Sequence, residues 1–303
     1  MCYLQVVKYL VLGATGLLGS KLFELLEECH GTYYKTLTGP NLRLHYLEFS
    51  NLVSLQNLVD EIEPAVIINC IGFSNVDQCE FFPEKNWRLN SWLPFELAKF
   101  CAVQSIKFVH ISTDHFLNLS QPKLKEENPV EVVNQYGLAK LSAEKSILSL
   151  SSNAIIVRTN FFHFDKNFAS TFIDKLLNDN LHSKTTSSFN DVFFTPVSTT
   201  AFCECIVQLI HWNFSGLINV SSSESISKFH FHGLILKSFG GNLEIHKPVS
   251  INFANLDAPR PKNMSLDNSF LKSLGVYKMP SIQDMIDTEL KTLERSGLEQ
   301  NEE

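Results

Sequence analysis

The chain has 303 residues, 44% hydrophobic and 19% charged, with a formal net charge of −7 and a pI near 5.8. That balance suits a globular enzyme of one large or two unequal domains, and it excludes the basic face of a nucleic-acid binder. No stretch is long and apolar enough to predict a membrane span. The seven cysteines form no C-x-x-C pair and read as reduced thiols of a cytoplasmic protein, with no metal site.

In chain order, Val6 to Leu12 predicts a first strand without a basic leader, so a signal peptide is not expected. Leu17 to Cys29 places Leu18, Leu22, Leu25 and Leu26 on one helical face. A short second strand is expected at Tyr33 to Thr38 and a helix at Leu55 to Ile62. Ala65 to Ile71 is a continuous apolar run, typical of a strand covered on both faces. A helix over Ser91 to Val103, a strand over Lys107 to Ile111, a helix over Tyr136 to Leu150 and a strand over Ala154 to Thr159 complete the alternation. Later helices are expected at Phe168 to Asn178, Thr199 to His211, Phe229 to Phe239 and Ser281 to Leu290, with a strand at Gly216 to Val220.

The alternation implies an α/β, Rossmann-type doubly wound parallel sheet with a smaller C-terminal substrate-binding domain. We expect a dinucleotide-binding domain over 1–160 that also receives 195–222. A substrate domain over 161–194 and 223–290, and an acidic tail over 291–303, complete the expected division.

Gly13-Ala-Thr15-Gly16-Leu17-Leu18-Gly19 follows the first strand and opens a helix. Such glycines allow a tight turn and close backbone approach to a pyrophosphate, which the helix N-terminus then attracts. The carboxylate that reads an adenosine ribose is missing from Lys35 to Gly39, whereas Lys35, Thr38 and Arg43 are near. The cofactor is therefore NADPH or NADH, with a lean to NADPH, because an acid there would repel the 2′-phosphate.

Tyr136 and Lys140 are four residues apart, so phenol and ammonium share a helical face and the cation favours the phenolate. Thr113, within Ser112-Thr113-Asp114, supplies a hydroxyl from a separate strand end. Asp114 is either a substrate-side acid or the cap of the following turn. Arg260 either forks onto a diphosphate or forms a structural ion pair. Glu126-Glu127 reads as a solvated loop.

With these motifs in order, the chain resembles the extended short-chain dehydrogenase/reductase superfamily, and within it the dTDP-4-dehydrorhamnose reductase family. The stretches Leu47 to Asn51, Asn69 to Glu80, Pro129 to Lys140 with Glu144, Arg158-Thr159, and Arg260-Pro-Lys-Asn263 with Leu266-Asp267 carry the likeness. The resemblance implies that Gly16, Leu17 and Leu18 hold the cofactor pyrophosphate and that Glu48 and Phe49 flank the adenine. Gly72, Phe73 and Ser74 then border the cofactor. Thr113 tunes the site, Tyr136 donates a proton, Lys140 binds the ribose, and Asp114 faces the substrate. Phe161 stands where founding members carry Trp, and His115-Phe-Leu117 departs from the usual Tyr-Val-Phe, which suggests a remodelled loop. The implied activity is reduction of a nucleotide-activated 4-keto-6-deoxysugar, with a homodimer as the family's expectation. Alternatives are a nucleotide-sugar epimerase or dehydratase, or a non-catalytic regulatory subunit such as those that partner methionine adenosyltransferase.

Overall fold

The computed structural model describes residues 7–35, 41–49, 52–116, 123–150, 153–164 and 171–298, with side chains to 294. They form two compact units, one of Met1–Thr113, Asn134–Arg158 and Leu209–Ile218, the other of Asp114–Val133, Thr159–Gln208 and Asn219–Glu303. This division departs from the expected ranges, since 114–133, 159–160, 195–208 and 219–222 fall in the second unit rather than the first. Residues 114–133 join the second unit because Leu124 bridges to Leu266 and exchanges backbone hydrogen bonds with Ser265 and Asp267.

In chain order the first unit holds β1 (Tyr9–Leu12), α1 (Leu17–Leu25), β2 (Cys29–Tyr33), β3 (Leu44–Tyr46), α2 (Val53–Ile62) and β4 (Val66–Asn69). Next come α3 (Val76–Phe81), α4 (Pro83–Trp87), a π turn over Arg88–Trp92, α5 (Leu93–Gln104), β5 (Lys107–Ile111), α6 (Gln135–Ser149) and β6 (Ala154–Arg158). With β11 (Gly216–Asn219), a seven-stranded sheet runs in the order β11-β6-β5-β4-β1-β2-β3. The strands β1, β4, β5 and β6 are buried at every residue, as their mostly apolar runs predict. Leu10, Leu12, Ile67, Phe108 and Ile156 pack against Leu55, Leu58 and Ile62 of α2 and Leu93 and Leu97 of α5.

The second strand differs from expectation. α1 ends at Leu25, and β2 starts at Cys29 to pair Cys29 with Tyr9, so the strand lies earlier than Tyr33 to Thr38. Thr38 lies outside the described residues, as do Leu117 and the beginning of the helix expected from Phe168. The tail expected over 291–303 is helical as far as Leu298, and its last five residues are likewise outside.

The second unit contains β7 (Phe161–Phe162), α7 (Phe172–Leu181), β8 (Thr186–Phe189), β9 (Phe193–Phe194) and β10 (Val197–Ser198), followed by the start of α8 (Thr199–His211). It continues with β12 (Ile226–Ser227), α9 (Lys228–Ser238), β13 (His246–Val249), α10 (Ser269–Leu274) and α11 (Ile282–Leu298). Three two-stranded pairings, β7 with β10, β8 with β13 and β9 with β12, build it. Phe231 anchors its core, edge-on to Phe162 at 5.1 Å and Phe194 at 5.2 Å. No described helix is long and apolar enough to cross a membrane.

Candidate active site

The glycine turn is built as its residues demand. Gly13 takes a left-handed φ of 78°, and its N–H donates to the Thr32 hydroxyl at 3.1 Å. Gly19 sits so close to the turn that a Cβ would lie 2.1 Å from the Gly13 carbonyl oxygen. Gly16 precedes α1 in extended conformation, and the first turn of α1 has neither a side-chain cap nor an acid. That leaves the positive end of the helix without a resident anion. Leu17 is half exposed and Leu18 buried, so what these two offer a pyrophosphate is their backbone N–H groups.

The turn opens on a cavity of about 550 Å³ whose lining includes Gly13, Thr15, Gly16, Glu48, Phe49 and Gly72. Its size and donor set fit a dinucleotide. Of the expected cations, Lys35 lines the cavity. Arg43 instead lies over the Phe23 ring of α1 at 5.0 Å and donates to the Glu27 carbonyl in the turn after that helix. Two cations that the sequence did not single out, Lys85 and Arg88, also line the cavity. Arg88 donates to the Phe49 carbonyl at 2.9 Å, and the Lys85 ammonium stands 4.3 Å from the Phe73 ring centre. Ser74 is exposed at the same strand end.

Tyr136 and Lys140 stand one turn apart on α6, both buried, and Thr113 is buried beyond the end of β5. The Lys140 ammonium donates to the Ile111 carbonyl at 2.9 Å. Burial pushes its pKa down to about 8, while Glu144 and the thiols Cys70 and Cys79 oppose that fall. Glu144, buried one turn further along α6, accepts from Ser112 Oγ at 2.5 Å, from Arg158 Nε at 3.0 Å and from Arg158 Nη2 at 2.7 Å. Since Ser112 directly precedes Thr113, this clamp sets the strand-end hydroxyl against the helix that bears the phenol and the ammonium.

A second clamp was not legible in the sequence. Asn90 of the π turn binds both backbone groups of Phe73, its Oδ1 accepting at 3.0 Å and its Nδ2 donating at 2.8 Å. The same amide donates to Asn86 Oδ1, and Asn86 donates to the Gln135 carbonyl, both at 2.8 Å. Glu80, in the Val76-Asp-Gln-Cys-Glu80 run, accepts from the Gln135 N–H at 2.8 Å, and Asn134 caps α6 through the Gly137 N–H. The polar residues between Glu80 and Asn90 thus fix the start of α6, one residue before Tyr136. The sequence carried no signal for it, since only the structure shows Asn86 and Asn90 to be buried and hence in need of partners.

In the second unit, Asn160 donates to Asp114 Oδ2 at 2.7 Å. Burial nonetheless holds the Asp114 pKa up at about 7, against the opposing pull of Asn160 and Lys228. Phe161 is half-buried, its ring 6.0 Å from that of Phe202. Arg260 Nη1 donates to the Ala258 carbonyl at 2.8 Å. Phe116 of the departing loop is fully buried, so it is a core anchor of this unit. Of the pair expected in a solvated loop, Glu127 is exposed, whereas Glu126 is half-buried and its carboxylate accepts the Asn219 N–H at 2.8 Å. Among the described residues, no group of three or more His, Cys, Asp or Glu side chains is placed to hold a metal.

Comparison with known proteins agrees with this architecture. The chain is 27% identical over 284 residues to the probable low-salt glycan biosynthesis reductase Agl14 of Haloferax volcanii, covering 90% of this chain and 94% of the relative. It is 25% identical over 280 residues to methionine adenosyltransferase 2 subunit beta of Rattus norvegicus, covering 89% and 83%. A crystal structure of dTDP-4-dehydrorhamnose reductase from Bacillus anthracis in complex with NADP superposes with a TM-score of 0.84 at 24% identity, covering 94% of this chain and 99% of that one. The family model for the RmlD substrate binding domain matches residues 7–295, and the chain belongs to that family, within the extended short-chain dehydrogenase/reductase superfamily.

Proposed function

We propose that the protein is an NAD(P)H-dependent reductase acting on the keto group of a nucleotide-activated 4-keto-6-deoxysugar, in the synthesis of cell-surface polysaccharide sugars. The observation that carries this reading is the placement of Tyr136 and Lys140 one turn apart on a helix that Glu144 clamps to the Thr113 strand end. The nicotinamide, when bound, supplies the hydride. Tyr136 gives its proton to the oxygen that becomes the alkoxide, and Thr113 hydrogen-bonds the same oxygen. Lys140 stabilises the phenolate left behind and holds the ribose hydroxyls. General-acid assistance of this kind supplies roughly 10²–10⁴ in rate.

NADPH is favoured over NADH because Lys35, Lys85 and Arg88 line the cavity and outnumber its carboxylate Glu48. Asp114, Phe161 and Arg260 are assigned to the substrate. A non-catalytic nucleotide-binding regulatory subunit is the second reading; the likeness to methionine adenosyltransferase 2 subunit beta names a subunit of another enzyme and does not by itself favour it. The deciding experiment follows NADPH and NADH absorbance against a panel of nucleotide-4-keto-6-deoxysugars, with Tyr136→Phe beside the wild type. We expect turnover with at least one sugar, lost in the variant while NADPH binding stays. Unchanged turnover in Tyr136→Phe removes the phenol from its role, and no turnover with any sugar favours the second reading.

A further inference from the structure

The cavity beside the glycine turn is walled in part by two segments far apart in the chain. One is Glu48-Phe49 after β3, and the other is the π turn with Arg88, Leu89 and Trp92. The ladder of β2 and β3 ends with Tyr33 opposite Tyr46 and with the Leu47 N–H on the Tyr33 carbonyl at 2.9 Å. Past that point Phe49 packs against the core, as Leu89 does, and Arg88 Nη2 donates to the Phe49 carbonyl at 2.9 Å.

A π turn is uncommon and is found mostly at functional positions. This one faces two ways, since residues two apart leave a helix on different sides. Asn90, which is buried, takes both backbone groups of Phe73 after β4, at 3.0 and 2.8 Å. Arg88, which is exposed, takes the Phe49 carbonyl after β3. The two contacts serve different ends. A buried amide without partners would destabilise the fold, so Asn90 and its bonds belong to folding. At the surface, water would serve the Phe49 carbonyl equally, and holding a long arginine side chain still costs entropy. The Arg88 bond therefore adds little to folding. What it fixes is where Glu48 and Phe49 stand relative to the π turn.

We propose that Arg88 is a positioning residue for the dinucleotide: it holds the Phe49 carbonyl so that the Glu48-Phe49 wall is in place before the cofactor arrives. The inference rests on the dinucleotide reading of this cavity and gives Arg88 a role that acts through Phe49 rather than through a phosphate. A wall ordered in advance spares the ordering cost at binding and so raises affinity.

The test is calorimetric titration of the full chain with NADP⁺ and NAD⁺, for the wild type, Arg88→Met and Arg88→Lys, at about 0.05 and 0.5 M salt. Arg88→Met should weaken both cofactors by a similar factor of about tenfold, the worth of one hydrogen bond from a charged donor. The loss should persist at the higher salt, where exposed charges are screened. Arg88→Lys, which keeps a long donor, should lose less. The unliganded Arg88→Met protein should melt within about 2 °C of the wild type, as a surface substitution does. A loss confined to NADP⁺ makes Arg88 a reader of the 2′-phosphate and overturns the proposal. So does a loss that vanishes at the higher salt, an unchanged affinity, or a melting temperature lowered by many degrees. A wild type that binds neither cofactor overturns the dinucleotide reading itself, and the proposal with it.

Discussion

Glu144→Gln probes the clamp on which the first unit's chemistry depends. The substitution keeps the shape of the side chain and removes its charge. Wild-type Glu144 accepts from Ser112 Oγ at 2.5 Å, Arg158 Nε at 3.0 Å and Arg158 Nη2 at 2.7 Å, with both charged side chains buried. In the variant the amide keeps one acceptor oxygen and turns an NH₂ toward another donor, so the guanidinium loses its counter-charge. Breaking a buried ion pair from one side costs about 3–5 kcal/mol, and the retained acceptor puts this case near the lower end. At roughly 2 °C per kcal/mol for a chain of this size, the melting temperature should fall by about 6 °C. Ser112→Ala, which removes one hydrogen bond to a charged group, should cost less, about 1.5–3 kcal/mol. Urea and thermal unfolding measure both, beside a Glu144→Leu/Arg158→Leu double variant. If the pair matters through an uncompensated charge, the double variant regains most of the loss. An unchanged melting temperature in Glu144→Gln, or a double variant as unstable as the sum of its singles, refutes the argument.

Three further outcomes follow from the same geometry. With the Lys140 pKa held down at about 8, its charge is lost as pH rises through that value, so NADPH affinity should fall between about pH 7 and 9. Lys140→Arg, protonated throughout, should bind NADPH without that fall, and its persistence in the variant refutes Lys140 as the source. Burial raises the Asp114 pKa to about 7, from roughly 3.9 in a free chain, so the folded form binds more protons between those values. Its contribution to stability is whole below about pH 4 and lost as pH rises through about 7; Asp114→Asn should gain on the wild type in melting temperature across that window, and a flat difference refutes this. Gly19→Ala forces a methyl to within 2.1 Å of the Gly13 oxygen, which should cost about 1–3 kcal/mol and abolish NADPH binding. Wild-type stability and affinity in that variant would mean the turn is not so tightly closed.

The legible parts of the fold are those whose residues announce burial directly. Lys107–Ile111 and Val66–Asn69 are short, mostly apolar runs, and a strand covered on both faces needs nothing else. β3 escaped notice because Leu44, His45 and Tyr46 lie on an edge, half-exposed and without alternation. The stretch Pro83–Trp92 inverts the usual pattern, with Asn86 and Asn90 buried and Trp87 and Trp92 exposed. No hydrophobic periodicity marks a helix of that kind, and only hydrogen bonds to Phe73 and Gln135 account for its polar interior. Tyr136 and Lys140 could be read from spacing along one helix. The hydrogen bond from Asn160 to Asp114 could not, because a long stretch of chain separates the two residues and no local pattern links them.

Lys140 and Tyr136 bear on different parts of the proposed chemistry. Burying an ammonium against one carbonyl is unfavourable, as its depressed pKa records, and an apolar side chain would fill the same space without that cost. A lysine at this place is therefore explained by something it does as a cation, and ribose hydroxyls are a sufficient ligand. Any nucleotide-binding protein of this fold would need as much, so Lys140 argues for a bound dinucleotide and does not distinguish turnover from its absence. A phenol buried on the same face, one turn earlier, can hydrogen-bond a ribose hydroxyl, but so can any neutral hydroxyl. What it adds is a proton that can leave, with a cation nearby to hold the charge that remains. Tyr136, rather than the glycine turn or Lys140, is the residue on which the distinction between a reductase and a nucleotide-bound scaffold rests.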